Sequence, residues 1–290
     1  LSGSKAVTLN AAYTAKSVNA SGLTGKLTAT ALGEADRVVL TAGSGDDSLT
    51  FGTIAAATTI DGGAGDDTIS IAGVGDFKLT IDGGAGTNTL KVTDDTDFAD
   101  NANDLTSVIT NIDKIDIANT KTLTITQKQL FTNGNDFTLT NTGTLKVEDD
   151  GASSEVFDLS GVKFTPSVSS PVTIDVTGAT AATVTGTDGA DSIVGGSGKD
   201  TINGGSGNDT ITGAGGADVI NLGSGTDTVV LSALTDTYNS TTLFADKGDA
   251  SAFDLISGAG NGDKIDFAAI GDLADAVAVK STYIAAASDD

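Results

Sequence analysis

The 290-residue chain contains no histidine, cysteine, methionine or tryptophan. Those absences together remove histidine-based zinc sites, Ser-His and Cys-His nucleophile systems, haem ligation and iron–sulfur ligation. Without cysteine there is no disulfide, so stability outside a cell has to come from burial, backbone pairing or bound metal. Basic residues are scarce: 15 Lys and Arg stand against 39 acidic residues, a net charge of −24. A field of that sign repels nucleic acid and anionic lipid, which argues against nucleic-acid binding, and it attracts cations. No apolar run is long enough to span a bilayer, and no charged-then-apolar segment opens the chain, so neither membrane insertion nor a cleavable signal is expected. The chain begins at Leu1 rather than at Met, which reads as a fragment or a processed product.

What is present is equally one-sided. Of the acidic residues only Glu34, Glu148 and Glu155 are glutamate, so the short aspartate side chain is being selected for its reach. The 38 glycines, 2 prolines and abundant threonine favour turns and strands over helices. At roughly 150 residues per domain the length suggests about two domains.

An internal repeat dominates the C-terminal half. From Gly186 its period is nine residues: GTDGADSIV, then GGSGKDTIN from Gly195, GGSGNDTIT from Gly204, GAGGADVIN from Gly213 and LGSGTDTVV from Leu222. Position four is always glycine, position six always aspartate and position eight always aliphatic (Ile193, Ile202, Ile211, Ile220, Val229). A looser array precedes it at a spacing of about twenty: AGSGDDSLT from Ala42, GGAGDDTIS from Gly62 and GGAGTNTLK from Gly83. The last has Asn88 in place of aspartate, which puts its cation site in doubt.

Four segments follow from this pattern. Residues 1–93 carry the looser array. Residues 94–185 hold alternating strand-like runs such as 121–126, 137–140, 144–148 and 172–176. Residues 186–230 are the tandem array, and 231–290 a C-terminal cap segment. Pro166 and Pro171 bracket a Ser-rich loop or linker, and Asp94 to Asp104 reads as an exposed loop. The fold class expected is all-β, a parallel β-solenoid with a non-repetitive C-terminal cap, and the nonapeptide resembles the repeat of a calcium-binding β-roll.

The repeat carries its own chemistry. Glycine at positions one, two and four admits turn conformations with positive φ and lets carbonyl groups converge. Alternate repeats turn at opposite edges, so repeats i and i+2 stack at the ~4.8 Å strand spacing. Asp191 then lies above Asp209, Asp209 above Asp227, and Asp200 above Asp218. Two carboxylates roughly 5 Å apart repel by on the order of 3 kcal/mol at an effective dielectric near 20. Burying one isoleucine gains only about 1.5 to 3 kcal/mol. A counter-ion between the turns resolves the conflict, and a shell of carboxylate and carbonyl oxygens selects several calcium ions over zinc or magnesium.

The candidate metal residues are Asp191, Asp200, Asp209, Asp218 and Asp227, with Gly196, Gly198, Gly205, Gly207, Gly216 and Gly225. In the first array they are Asp47 and Asp67, with Gly45 and Gly65. A calcium-free solenoid with Asp-Gly turns is the alternative. Five repeats make a short stack, so its interior is expected to continue into neighbouring coils or into a cap built around Ile256, Ile265 and Phe267.

With these residues placed, the chain resembles the RTX proteins of Gram-negative type I secretion, and 254–267 resembles the segment that follows RTX arrays. The resemblance implies export without an N-terminal signal and calcium-triggered folding outside the cell. It is most similar to RTX-type surface-layer (S-layer) proteins, on the order of 16–25, the two arrays and 105–117. That likeness implies a calcium-dependent structural protein at the cell surface that self-assembles into a two-dimensional lattice of its own copies. It further implies contact with cell-surface lipopolysaccharide through parts outside this chain. No enzymatic activity and no catalytic residue are expected. The alternatives are the C-terminal RTX calcium-binding or secretion region of a larger secreted adhesin, toxin or enzyme, and a solenoid that uses a flat ladder of Thr122, Thr124, Thr126, Thr138 and Thr140 against ice.

Overall fold

Strands here are short because every fourth to tenth residue is a turn former, and they alternate threonine or another small polar residue with Ile, Leu or Val. One side of such a strand has to be buried, and stacking coil on coil does so. The computed structural model describes residues 1–9, 17–32, 38–74, 78–99, 108–126, 129, 137–140, 142–149, 154–164, 172–231 and 254–266. The Pro166–Pro171 loop, Asp150 and Phe267 lie outside these residues. Every strand pairing among them is parallel, and the fold is an all-β parallel solenoid. No helix among the described residues is long and apolar enough to cross a membrane.

The chain forms two compact bodies, Leu1–Asp150 with Val162–Ser170, and Gly151–Gly161 with Pro171–Asp290. The stretch 94–185 is therefore shared between them. In the first body one ladder runs through Ser17–Asn19, Val39–Thr41, Thr58–Asp61, Leu79–Asp82 and Val108–Thr110. A second runs from Val7–Leu9 through Leu27–Leu32, Ser48–Phe51, Thr68–Ile71 and Thr89–Val92 to Lys114–Ile117, Thr138–Leu139 and Lys163–Phe164. The chain alternates between the two, so each coil of about twenty residues carries one repeat turn at one edge only. In register, Leu49, Ile69, Leu90, Ile115 and Leu139 form one fully buried column.

The second body repeats the plan with a shorter coil. Val172–Asp175, Asp191–Val194, Thr210–Thr212, Thr228–Val230 and Lys264–Asp266 form one ladder. Ser154–Asp158, Ala181–Thr185, Thr201–Asn203, Val219–Asn221 and Leu255–Ser257 form the other. Successive nonapeptides thus fall on opposite ladders, and Ile193, Ile211 and Val229 stack in one interior column while Ile202 and Ile220 stack in the other. The tandem array has solenoid strands on both sides. Beyond it, Ile256 pairs with Ile220 and Ile265 with Val229, so this tail extends the ladders.

Two local expectations change. The stretch from Asp94 is an exposed loop only at its start: Thr96–Asp97 pairs with Leu123 and Thr124, and Thr96 and Phe98 are buried. Its remainder, 100–104, lies outside the described residues. Thr124 and Thr126 are buried, with the Thr126 N–H donating to Gln129 Oε1 at 2.8 Å and Gln129 Nε2 donating to Phe98 O at 2.7 Å. Thr124 and Thr126 are therefore packing residues, Thr122 is half-buried, and no flat exposed ladder runs through the strand.

Candidate metal centre

Each repeat turn ends on its position-six aspartate, and the register of the strands places these side chains one above another. Asp47, Asp67, Asp191, Asp200, Asp209, Asp218 and Asp227 are each at most 3% exposed. One oxygen of each except Asp191 serves the ladder; both oxygens of Asp191 accept from Thr187 of its own turn. Oδ1 of Asp209 accepts the main-chain N–H of Asp191 at 2.9 Å, and Oδ1 of Asp227 accepts that of Asp209 at 2.9 Å. On the opposite edge Oδ1 of Asp218 accepts from Asp200 at 2.8 Å and Oδ1 of Asp200 from Ala182 at 2.6 Å. In the first body Asp47 accepts from Leu27 at 2.6 Å and Asp67 from Asp47 at 2.7 Å.

The second oxygen divides the turns into two kinds. At the start of each row it is tied to its own turn through the N–H of position two. Asp47 Oδ2 accepts from Gly43 at 3.1 Å, Asp200 Oδ2 from Gly196 at 2.7 Å, and Asp191 Oδ2 from both the N–H and the hydroxyl of Thr187 at 2.6 and 3.0 Å. Further along, Oδ2 of Asp67, Asp209 and Asp227 is buried with no hydrogen-bond partner. Position two explains the difference. Gly63, Gly205 and Gly223 have φ of 91°, 101° and 92°, whereas Gly43, Thr187 and Gly196 have negative φ. The left-handed conformation turns the N–H away from the carboxylate.

A carbonyl lies close to two of these oxygens, those of Asp67 and Asp209. A Cβ built on Gly62 would lie 2.7 Å from Asp67 Oδ2 and 2.5 Å from Gly83 O of the next coil. One built on Gly204 would lie 2.6 Å from Asp209 Oδ2 and 2.5 Å from Leu222 O. Position one is thus the floor of a cradle in which a carboxylate oxygen and a next-coil carbonyl converge without a donor between them. Burying a charge in that way is costly unless it is compensated. Burial, ahead of repulsion from neighbouring acids, pushes Asp191 and Asp209 up to about 7 and Asp67 up to about 6, and raises Asp200 and Asp227. Among the described residues no three acidic side chains converge, so an ion held here takes most of its shell from backbone carbonyls. That hard, all-oxygen donor set fits calcium.

The sequence-derived glycines line these turns. Gly65, Gly207, Gly216 and Gly225 at position four have positive φ, and Gly205 at position two does as well. Gly45, Gly196 and Gly198 are instead held by crowding; a Cβ on Gly198 would lie 1.5 Å from Thr180 O. Two residues outside the expected set join the rows. Asp254 Oδ1 accepts the N–H of Asp218 and Asp263 Oδ1 that of Asp227, at 2.9 and 2.8 Å. Their signal is the Asp-x-Ile pattern of 254–256 and 263–265, spaced as in the repeats. Of the acids in the stretch expected to be exposed, Asp94 and Asp95 face Lys121.

Four copies of the RTX calcium-binding nonapeptide repeat match the chain, over residues 30–53, 57–70, 176–211 and 194–229. No curated protein and no solved structure matches it.

Proposed function

The chain is an RTX repeat protein carrying calcium-binding nonapeptides, and from that premise we propose that it is a structural subunit of a calcium-dependent surface layer. The observation that carries the reading is the set of buried carboxylate oxygens with no hydrogen-bond partner, on Asp67 in the first body and on Asp209 and Asp227 in the second. Calcium supplies the missing charge, so folding is completed where calcium is plentiful, and RTX repeat proteins are generally secreted into such surroundings. Both bodies are coils of the same type, each holding a row of repeat turns. A polymer of stacked strands and ion-filled turns supplies rigidity, the property a lattice subunit needs.

Assembly then follows from charge. At −24 the copies repel each other, and calcium shared between exposed acids on neighbouring molecules turns repulsion into contact. Ions enclosed in the turns bind first; ions bridging copies bind later and more weakly. Monovalent salt screens charge over about 10 Å at 0.1 M but bridges nothing. Light scattering of the full-length parent protein against calcium concentration tests this. Two steps, folding followed by association that sodium does not reproduce, support the lattice. A folded protein that stays monomeric at millimolar calcium favours the RTX region of a larger secreted adhesin, toxin or enzyme.

A further inference from the structure

The row in the first body ends differently from the way it begins. Asn88 follows Asp67 in register, and its Oδ1 accepts the Asp67 N–H at 3.0 Å, as an aspartate would. Its Nδ2 donates to Gly84 O at 3.3 Å and to Asn111 O at 3.1 Å. An N–H on one side and two carbonyls on the other leave only one orientation for the amide. Asn111 is the next-coil counterpart of Gly83, because Asp82 pairs with Thr110. One coil earlier the equivalent carbonyl, Gly83 O, faces Asp67 Oδ2. A Cβ on Gly62 would meet Asp67 Oδ2 at 2.7 Å, and one on Gly83 would meet Asn88 Nδ2 at 2.8 Å. The two atoms hold the same place in successive turns, and only the nitrogen carries protons.

The following coil gives the reason. Between its paired strands lie only Asn111, Ile112 and Asp113, where the coil before has Gly83 to Asn88. Asp113 Oδ2 accepts the Asn88 N–H at 2.7 Å, so the carboxylate ladder runs one coil further. This three-residue turn around the buried Ile112 nevertheless offers no second glycine-rich repeat turn whose carbonyls could complete an ion's shell. Within the first array the family matches also stop at residue 70, short of this turn.

The geometry points to Asn88 as the terminator of the first cation row: its side-chain amide takes the place of calcium, bonds the carbonyls an ion would otherwise gather, and leaves the turn from Gly83 to Asn88 metal-free. This rests on calcium filling the neighbouring Asp67 turn. The change to Asn88→Asp keeps the Oδ1 acceptor and replaces both donated protons with a charge.

The test is the slope of unfolding stability against the logarithm of calcium concentration on the full chain, which counts ions taken up on folding. Asn88→Asp is expected to raise the slope by about one ion and to need more calcium for half-folding, and Asp67→Asn to lower it by about one. An unchanged or lower slope for Asn88→Asp overturns the assignment. A wild-type slope of zero defeats instead the calcium reading beneath it. A second measurement needs no variant: in the calcium-loaded wild type the Asn88 side-chain amide protons should exchange roughly a hundredfold more slowly than those of exposed Asn261. Equal rates overturn the assignment, since an amide coordinating through its oxygen would leave its protons free.

Discussion

The main-chain N–H of Asp191 donates to Oδ1 of Asp209 at 2.9 Å, while Asp209 donates its own N–H to Asp227 at the same distance. Asp209 therefore sits inside the row, with an unpartnered Oδ2, whereas Asp191 heads it with Oδ2 held by Thr187. Asp209→Ala should weaken calcium binding more than Asp191→Ala. It also leaves the Asp191 N–H without its partner, at a cost of about 1 to 3 kcal/mol. Calcium titrations of the two variants decide it, and equal losses would show that the two turns are equivalent.

The same burial predicts a pH dependence. Asp191 and Asp209 rise to about 7 and Asp67 to about 6 from an ordinary 3.8. A folded value above the unfolded one means that folding favours the protonated form. The contribution is complete below about pH 4 and is lost as the pH climbs through 6 to 7. Calcium-free protein should accordingly be more stable at pH 5 than at pH 8 by thermal melting. Calcium requires the ionised form, so its affinity should rise over the same window. Calcium-free melting temperatures that climb from pH 5 to pH 8 would contradict this.

Ala214 occupies position two of the fourth tandem repeat with φ 68°, the conformation that Gly63, Gly205 and Gly223 adopt without a side chain. The left-handed region costs an L-residue about 1 to 2 kcal/mol, against about 0.5 to 1 kcal/mol of extra chain entropy for glycine. Ala214→Gly should leave stability in saturating calcium unchanged to about 1 kcal/mol higher by urea unfolding. A clear destabilisation would mean that the turn does not need positive φ.

Ile211 is fully buried between Ile193 and Val229. Truncation to alanine should cost about 2 to 5 kcal/mol, measured in saturating calcium so that ion loss is not the cause. A loss well below 1 kcal/mol would mean that this column is not close-packed.

The register of Asp191, Asp209 and Asp227 was legible because a nine-residue period with one aliphatic position can bury its strands only by alternating edges. The tail was harder to read. Asp254 and Asp263 join the rows after the intervening 232–253, and Asn261 stands at the position where the repeats have glycine, so the period is broken although the pairing is not. Thr124 and Thr126 were misjudged for a different reason. Alternation with Leu123 and Ile125 shows that a strand has two faces, but not that Gln129, anchored on the Phe98 carbonyl, bonds the backbone at Thr126. At Asn88 the sequence shows only a missing carboxylate. That its amide bonds the facing carbonyls depends on Asn111, which belongs to the next coil and is separated in sequence by strands of both ladders.

The central claim is that calcium completes the turns between Gly186 and Val230. Amide hydrogen exchange across those residues, with saturating calcium and with excess chelator at pH 8, tests it most directly. The account predicts strong protection of Ile193, Ile202, Ile211 and Ile220 with calcium and its loss on chelation. Protection that survives excess chelator unchanged would contradict it.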